Sequence, residues 1–392
     1  MPREIRPLTS LRGIAALLVV VFHFRLVVGP SIDIDAGTAF FASGYLWVDF
    51  FFLLSGFVIA YAYARDFQPG SLASYGRFLW RRLARIYPLH VFVVLALIPM
   101  EAAKYAIGWY DRPPFAPGST AGELAAGLAL VHSWGLYDHL TWNWPSWSIS
   151  AEWAAYIAFP ALLPLLYRVR VEIAPAAIPL LIGGLFALMK LHGRDDLDMT
   201  FDLGVPRGLL SFAIGIAAYR LFEAAPAEAR GPLSDWLLAG GLAWIVVALH
   251  LGLHPLLVVP GFLAAVLFGA LADGPVSRLL GAAPLHFLGE ISYSIYLVQY
   301  PVQRVWHLVV RRFYGDALDP LAAVLSLIGV LGIVVALSTL TYQWIERPAR
   351  QYMTRHLPSR PAPRLPVPET AGPGRRCRAG RVDRPDIVES RS

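Results

Sequence analysis

Long apolar segments recur along the 392-residue chain, separated by shorter segments that hold most of the charged side chains. A helix needs about 20 mostly apolar residues, at a rise of about 1.5 Å each, to cross a hydrocarbon layer of about 30 Å. Ten segments approach that length: residues 11–28, 46–64, 88–107, 149–168, 174–190, 206–223, 235–252, 255–272, 288–308 and 320–342. The pattern predicts an all-α, polytopic membrane helical bundle with about ten transmembrane helices.

One further apolar segment, residues 121–133, has about thirteen residues and is too short to cross a membrane. We expect a helix on or partly inside the outer leaflet, and its sequence leaves its insertion open. It leads into a tryptophan-rich loop, and tryptophan favours the headgroup boundary. This loop predicts an aromatic belt or part of a binding site.

Composition agrees with a membrane protein, because 57% of the residues are hydrophobic and only 15% are charged. Soluble domains have about a quarter of their residues charged. The single cysteine, Cys377, excludes an intrachain disulfide framework and a cysteine-rich metal cluster.

The formal net charge of +6 belongs to the C-terminal segment. Residues 347–392 contain 11 Arg and 4 acidic residues, which leaves the first 346 residues close to neutral. Because residues 351–392 are rich in Pro and Arg and poor in apolar side chains, we expect a disordered cytoplasmic tail after a membrane domain of residues 1–350. A solvated tail is favoured over one that binds anionic lipid or nucleic acid.

Arginine in short loops sets the predicted orientation, since positive charge accumulates on the cytoplasmic side. If ten helices cross, the arginines near the chain start, in residues 65–85, at 168–170, at 230 and 278 and in the tail share one side. Aspartates dominate the opposite loops. Both termini are therefore predicted to be cytoplasmic, with Arg311 and Arg312 as exceptions.

Arg12 and His23 are the clearest ionisable pair inside a predicted span. Eleven helical steps of about 100° come close to three full turns, so the two side chains share a face about 16 Å apart. Charged groups inside a membrane span need a cavity or a partner. The pair predicts a cation that holds an anionic group, with an imidazole near the bilayer centre as a base. A histidine hydrogen-bonded to a neighbouring helix, with Arg12 at the helix end, is the structural alternative.

Arg82 and Arg85, in the sequence RFLWRRLARIYP, are three residues apart on one helix face. Two adjacent guanidiniums suit phosphate oxygens, which they can bind in bidentate fashion. A loop that merely carries positive charge is the alternative for this segment.

Several other polar side chains lie within or beside predicted spans. Asp49 and Glu152 are candidate carboxylates, and Ser148 and Tyr156 lie one turn to either side of Glu152. Ser55, next to Gly56, is interpreted first as part of a small-residue helix contact. No HExxH, P-loop or GxSxG motif is present, so metal or nucleotide hydrolysis has no support.

Taken together, six motifs make the chain resemble acyltransferase family 3, the bacterial integral membrane O-acyltransferases that modify surface polysaccharides, lipopolysaccharides and other glycosides. The resemblance covers about residues 6–350. It depends on LTSLRGIAALLVVVFHF, VDFFFLLSGFVI, RRLARIYP, WSISAEW, LGEISYSIYLVQYP and WIERPAR.

The resemblance implies ten spans, an acyl-CoA donor that enters from the cytoplasm, and no bound cofactor or metal. It implies that His23 is the catalytic residue, that Arg12 assists it and that Glu152 is the family's acidic position. Arg82 and Arg85 would help hold the donor phosphates. Tyr293 and Gln299, in LGEISYSIYLVQYP, are candidate acceptor-side or structural residues. The family commonly has histidine where this chain has Gln299.

We therefore expect an enzyme of the bacterial inner membrane that transfers an acyl group, by preference acetyl, from acyl-CoA to a carbohydrate hydroxyl. The sequence leaves open whether His23 acts as a general base or is acylated itself. Two other classes are alternatives. A membrane glycosyltransferase that uses a polyprenyl-phosphate sugar would use a metal at Asp33 and Asp35, and a transporter or flippase would use His23 and Glu152 as relay residues.

Overall fold

The computed structural model describes residues 4–28, 33–65, 67–68, 70–108, 113–170, 172–315, 318–355 and 357. These residues contain fourteen α-helices and no strand. The helices are α1 (Arg6–Val28), α2 (Trp47–Tyr63), α3 (Leu72–Ile107), α4 (Ala121–Leu128), α5 (Trp147–Arg168), α6 (Ala174–Leu191), α7 (Gly204–Ala224), α8 (Pro232–His250), α9 (Pro255–Leu271), α10 (Pro275–Leu280), α11 (Ala283–Glu290), α12 (Ser292–Tyr314), α13 (Pro320–Thr341) and α14 (Arg347–Thr354).

The all-α prediction is confirmed for the described residues, and seven helices are long and apolar enough to cross a membrane: α1, α2, α3, α5, α7, α8 and α13. Two further apolar segments, Pro175–Leu191 and Pro255–Leu271, are shorter, with 17 residues each. The remaining predicted span corresponds to α12, which is long enough but carries polar side chains such as Gln299, Gln303 and Arg304. The structure therefore describes a multi-pass membrane protein, and the total of ten spans stays a prediction.

Helix α3 is longer than predicted. Its 36 residues form one helix of about 54 Å that includes Pro88 and Pro99. Ser71 caps its start and accepts a hydrogen bond from Ser74 N on its hydroxyl, and Gly108, which has a left-handed backbone, caps its end. The basic motif is therefore part of the same rigid element as the predicted third span.

Helix α1 lies at the centre of the bundle and packs on α2, α9, α11, α12 and α13. Its contact with α11 depends on two glycines. A Cβ on Gly13 would lie 2.5 Å from Gly289 N, and one on Gly289 would lie 2.0 Å from Thr9 O. Since no side chain fits between the two backbones, glycine at these positions lets α1 approach α11 closely.

Helices α2 and α7 also meet backbone to backbone. A Cβ on Gly56 would lie 2.0 Å from Phe212 O, and one on Gly215 would lie 1.9 Å from Leu53 O. The predicted small-residue contact is therefore correct for Gly56. Ser55 instead points away from α7 and hydrogen-bonds the Glu152 carboxylate.

The segment between α3 and α5 folds over the end of the bundle. Of predicted residues 121–133, only Ala121–Leu128 are helical. A capping box starts this helix, α4, because the side chains of Thr120 and Glu123 each accept a hydrogen bond from the other residue's backbone N–H. The Glu123 carboxylate also hydrogen-bonds the His139 imidazole at 2.6 Å. Glu123 and then Asp138 raise the His139 pKa above its ordinary value of 6.5 by accepting these bonds.

The last helix, α14, continues past residue 350 to Thr354. Most of the predicted tail, residues 358–392, lies outside the described residues, and so does Cys377.

Candidate active site

A cavity of about 840 Å³, including its open part, lies among α1, α2, α3, α5 and α12. We call it the central cavity. It is lined by Arg12, Val48, Phe51, Phe52, Leu54, Ser55, Val58, Ile59, Arg82, Arg85, Ile86, Ser148, Ile149, Glu152, Tyr156, Ser292, Tyr293 and Tyr296. From Val48 to Ile59, α2 follows the cavity for about 16 Å, roughly half of a bilayer core.

Three arginines, Arg12, Arg82 and Arg85, line one end of the cavity, which we call the arginine end. Arg82 Nη2 donates to Tyr63 Oη at 3.1 Å, and its guanidinium lies 5.2 Å from the centre of the Tyr63 ring. Arg82 Nε is buried without a partner among the described residues. This guanidinium therefore has unused capacity to donate hydrogen bonds to a ligand.

Arg12 is held by the turn between α11 and α12. Its Nε donates to Ser292 Oγ at 2.8 Å, and its Nη2 donates to Gly289 O at 2.7 Å. Both acceptors are neutral, so these bonds orient the guanidinium without neutralising it. The close approach of α1 and α11 brings the Gly289 carbonyl within reach.

Arg85 differs from the other two because a buried carboxylate pairs with it. Arg85 Nη1 donates to Glu346 Oε1, and Glu346 Oε2 accepts from Ser294 Oγ at 2.8 Å. Tyr293 packs against Arg85 and donates its hydroxyl to Ile86 O. Contacts from α12 and from the short π-helix Tyr342–Glu346 thus fix the Arg85 side chain, which projects from α3.

Glu152 lies in the middle of the cavity. Its Oε1 accepts from Ser55 Oγ at 2.8 Å and from Tyr156 Oη at 2.5 Å. Its Oε2 has no hydrogen-bond partner among the described residues. Its partners among the described residues are hydroxyls and not cations, so the carboxylate is not held in an ion pair and one of its oxygens is free inside the cavity.

The opposite end of the cavity is closed by hydroxyl groups and aromatic rings. Ser148 Oγ and Tyr296 Oη lie 2.7 Å apart, and each donates toward Pro145 O. Phe51 packs edge to face on Tyr296, with ring centres 5.8 Å apart.

His23 does not line the central cavity. It shares a face of α1 with Arg12, as their spacing predicted. The structure shows that this face contacts α12, where Gln303 donates to the His23 main-chain oxygen at 2.8 Å. Gln299, one turn beyond Tyr296 on α12, lies near its imidazole, and the Gln299 side-chain nitrogen donates to Tyr296 O at 3.0 Å. His23 therefore lies about one helical turn past the closed end of the cavity.

The contacts of the His23 ring determine which nitrogen is available. Nδ1 lies 2.9 Å from Val19 O. Because a carbonyl oxygen only accepts, Nδ1 carries the proton, and Nε2 of the neutral ring keeps its lone pair. Gln299 Oε1 is buried with no hydrogen bond from the described residues.

Asp49 is not part of this site. Its two oxygens accept from Arg207 Nε and Nη2 at 3.1 and 2.7 Å, and Ser211 Oγ donates to it at 3.0 Å. Both members of the ion pair are buried. Since these three hydrogen bonds, two from Arg207 and one from Ser211, satisfy the carboxylate, its role is to join α2 and α7.

The structure adds three residues that sequence reasoning missed: Glu346, Ser292 and Tyr296. Glu346 is part of the WIERPAR motif, but only the fold brings it to Arg85, 261 positions away. The sequence could have indicated Glu346 in one way, because it is an acidic residue just after the long apolar segment that forms α13.

No group of three or more histidine, cysteine or acidic residues in the described parts of the chain could hold a metal ion. Asp33 and Asp35, the residues of the glycosyltransferase alternative, are not in the central cavity. Asp35 lies 3.7 Å from Arg25 Nε.

A bundle of apolar helices around a cavity with three arginines and a buried carboxylate is consistent with the predicted membrane acyltransferase. Comparison with known families supports this class directly, because the family described as "Acyltransferase domain" matches residues 7–342. The chain belongs to this family, acyltransferase family 3, and is a membrane O-acyltransferase.

Among individual proteins, the chain is 31% identical to "Acyltransferase MdmB" of Streptomyces mycarofaciens, over 92% of this chain and 96% of that protein. It is 27% identical to "Putative membrane-bound transacylase BcsY" of Komagataeibacter xylinus, over 89% and 84%. It is 22% identical to "Peptidoglycan O-acetyltransferase OatA" of Listeria monocytogenes, over 75% of this chain and 48% of that protein. No solved structure matches the chain.

Proposed function

We propose that this protein transfers an acetyl group from cytoplasmic acetyl-CoA to a carbohydrate hydroxyl of a cell-surface polysaccharide, lipopolysaccharide or other glycoside, in a bacterial inner membrane. The observation that carries the proposal is the convergence of Arg12, Arg82 and Arg85 on one cavity. Ten spans and two cytoplasmic termini would place the arginine end toward the cytoplasm.

The charge of the cavity supports an anionic donor. Arg12, Arg82 and Arg85 outnumber the two carboxylates, Glu152 and Glu346, that lie among them. Guanidinium groups in a medium that excludes water bind phosphate oxygens strongly. The pyrophosphate and 3′-phosphate of acyl-CoA would bind at the arginine end, and the thin pantetheine arm would extend along α2 toward Ser148 and Tyr296.

The reaction would take place where the closed end of the cavity meets His23. His23 Nε2 would remove the proton from the acceptor hydroxyl as its oxygen attacks the thioester carbonyl. The C–S bond then breaks, and the CoA thiolate takes the proton from the imidazolium. This route requires the Ser148–Tyr296 end to open by about one helical turn toward His23.

Glu152 would act on the acceptor side. Its free Oε2 can accept a hydrogen bond from a second sugar hydroxyl and so orient the attacking one. The acceptor class is supported by the name of one relative, which is a peptidoglycan O-acetyltransferase.

The central test replaces His23 by alanine in purified protein supplied with acetyl-CoA and membrane glycans. We expect acyl transfer, measured as free CoA thiol and as glycan O-acetylation by mass spectrometry, to fall at least about 100-fold. His192 provides a matched control, because its Nδ1 makes the same contact to a carbonyl four residues earlier, at 3.0 Å, on the exposed end of α6. Undiminished transfer by His23→Ala would contradict the mechanism.

A further inference from the structure

Helix α14 packs against the arginine end of the central cavity. In the chain, α14 comes directly after the short π-helix Tyr342–Glu346, which contains Glu346, the partner of Arg85. It lies along α3, where Trp80 Nε1 donates to Met353 O at 2.7 Å. The position of α14 is therefore fixed by contacts at both of its ends.

Arg350 lies four residues after Glu346 in a continuous helical segment, so both project from the same face. The charged groups that act on Arg350 are Arg85, Glu346 and Arg82. Its guanidinium has no hydrogen bond or ion pair to any of the described residues, and it is half-buried. A fourth arginine, not recognised from the sequence, thus lies beside the arginine end.

The charges at this end do not balance. Arg12, Arg82, Arg85 and Arg350 face three carboxylates of the described residues, Glu152, Glu346 and, at Arg12, Glu4, which leaves an excess of one positive charge in a half-buried place. Glu346 is already bound to Arg85 and Ser294. Arg350, with no bonded donor, and Arg82, with a buried Nε that has no partner among the described residues, have the most hydrogen-bonding capacity left for an anion.

We propose that Arg350 binds a phosphate group of the acyl-CoA donor together with Arg82, which makes α14 part of the donor site. This inference rests on the proposed function. Arg82 on α3 and Arg350 on α14 would hold the phosphate between their two guanidiniums. Arg85, which is fixed by Glu346, lines the cavity itself and adds positive charge there.

The test compares Arg350→Gln with Arg347→Gln, a matched control on the same helix whose side chain is exposed. Each variant is purified in lipid nanodiscs and assayed by thiol release with two donors, acetyl-CoA and acetyl-pantetheine, which lacks the nucleotide phosphates. We expect Arg350→Gln to raise the KM for acetyl-CoA about tenfold with little change in kcat. With acetyl-pantetheine the variant and the wild type should have the same KM, and Arg347→Gln should match the wild type with both donors.

Arg350→Lys keeps the charge but not the planar geometry, so its KM for acetyl-CoA should lie between those of the wild type and Arg350→Gln. An unchanged KM in Arg350→Gln, or an equal increase with both donors, would overturn the inference. Nanodiscs with and without phosphatidylglycerol test a lipid headgroup as the source of the phosphate. A defect that appears only with this lipid would also overturn it. A wild-type enzyme that releases no thiol from acetyl-CoA would instead refute the proposed function itself.

Discussion

Glu152 and Glu346 show how two carboxylates of one cavity acquire different roles from their neighbours. Glu346 is buried and bound by Arg85, so it fixes the position of a guanidinium. Glu152 is half-buried and bound by the hydroxyls of Ser55 and Tyr156, so one of its oxygens remains available to a ligand. A residue's partners, more than its type, determine what it can do here.

At this scale we predict that Glu152→Gln lowers acyl transfer by about 10- to 100-fold, because a charged hydrogen-bond acceptor becomes a neutral amide. Thermal unfolding in detergent should change little, since the amide oxygen can still accept from Ser55 and Tyr156. Thiol release with acetyl-CoA measures the first effect.

Glu223→Gln is the control for this experiment. Glu223 also accepts hydrogen bonds from tyrosine hydroxyls, those of Tyr167 and Tyr219, but it lies outside the central cavity. Its variant should keep wild-type transfer. Equal losses in both variants would show that Glu152 acts only through the packing of the bundle.

Among the elements, α1 has the greatest influence on the site. It carries Arg12 and His23 on the face toward α12, and the two helices run in the same direction, with Arg12 at Ser292 and His23 at Gln303. The glycine contact with α11 sets the depth of this packing. The site therefore depends on backbone distances that are closer than most helix pairs allow.

Gly289→Ala should separate α1 from α11, because the new methyl group would lie 2.0 Å from a backbone oxygen that has no free rotation. We expect a loss of about 1–3 kcal/mol in the free energy of unfolding and a marked loss of transfer, since Gly289 O also holds Arg12. Chemical denaturation and thiol release measure the two effects.

Gly329→Ala is a suitable comparison, because nothing lies within 4 Å of the added Cβ in α13. Alanine favours a helix interior over glycine by about 1 kcal/mol, so this variant should be as stable as the wild type or more so. If Gly289→Ala behaved in the same way, the close contact would not control the site.

In the molecule as a whole, buried ion pairs join helices that are distant in sequence. Arg207 contacts Asp49 of α2, and it also donates to Met199 O and Tyr45 O in two connecting segments. Its side chain is 0% exposed. One arginine thus satisfies polar groups from several parts of the bundle.

Asp49→Asn should destabilise the protein by about 3–5 kcal/mol, because Arg207 would stay buried without the carboxylate that pairs with it. Replacing both residues, as Asp49→Leu with Arg207→Met, should recover much of that loss, since no buried charge remains. Thermal unfolding in detergent checks both values. The folded fraction of each variant should still transfer acyl groups, as neither residue lines the cavity, and a complete loss would assign Asp49 to the site.

The sequence by itself determined the helical class, the approximate position of each long helix and the face shared by Arg12 and His23. These properties follow from hydropathy and from the 3.6-residue period, which act along a single helix. It also indicated the arginines of the cavity, Glu152 and the family, through motifs that are continuous in the chain.

Only the tertiary structure decided which of these residues meet. It paired Arg85 with Glu346, 261 positions away, and it removed Asp49 from the site by pairing it with Arg207, 158 positions away. It joined the basic motif to α3 and placed His23 one turn past the cavity. Such contacts depend on how helices pack against one another, and the pattern within one helix contains no information about the side chains of its distant neighbours.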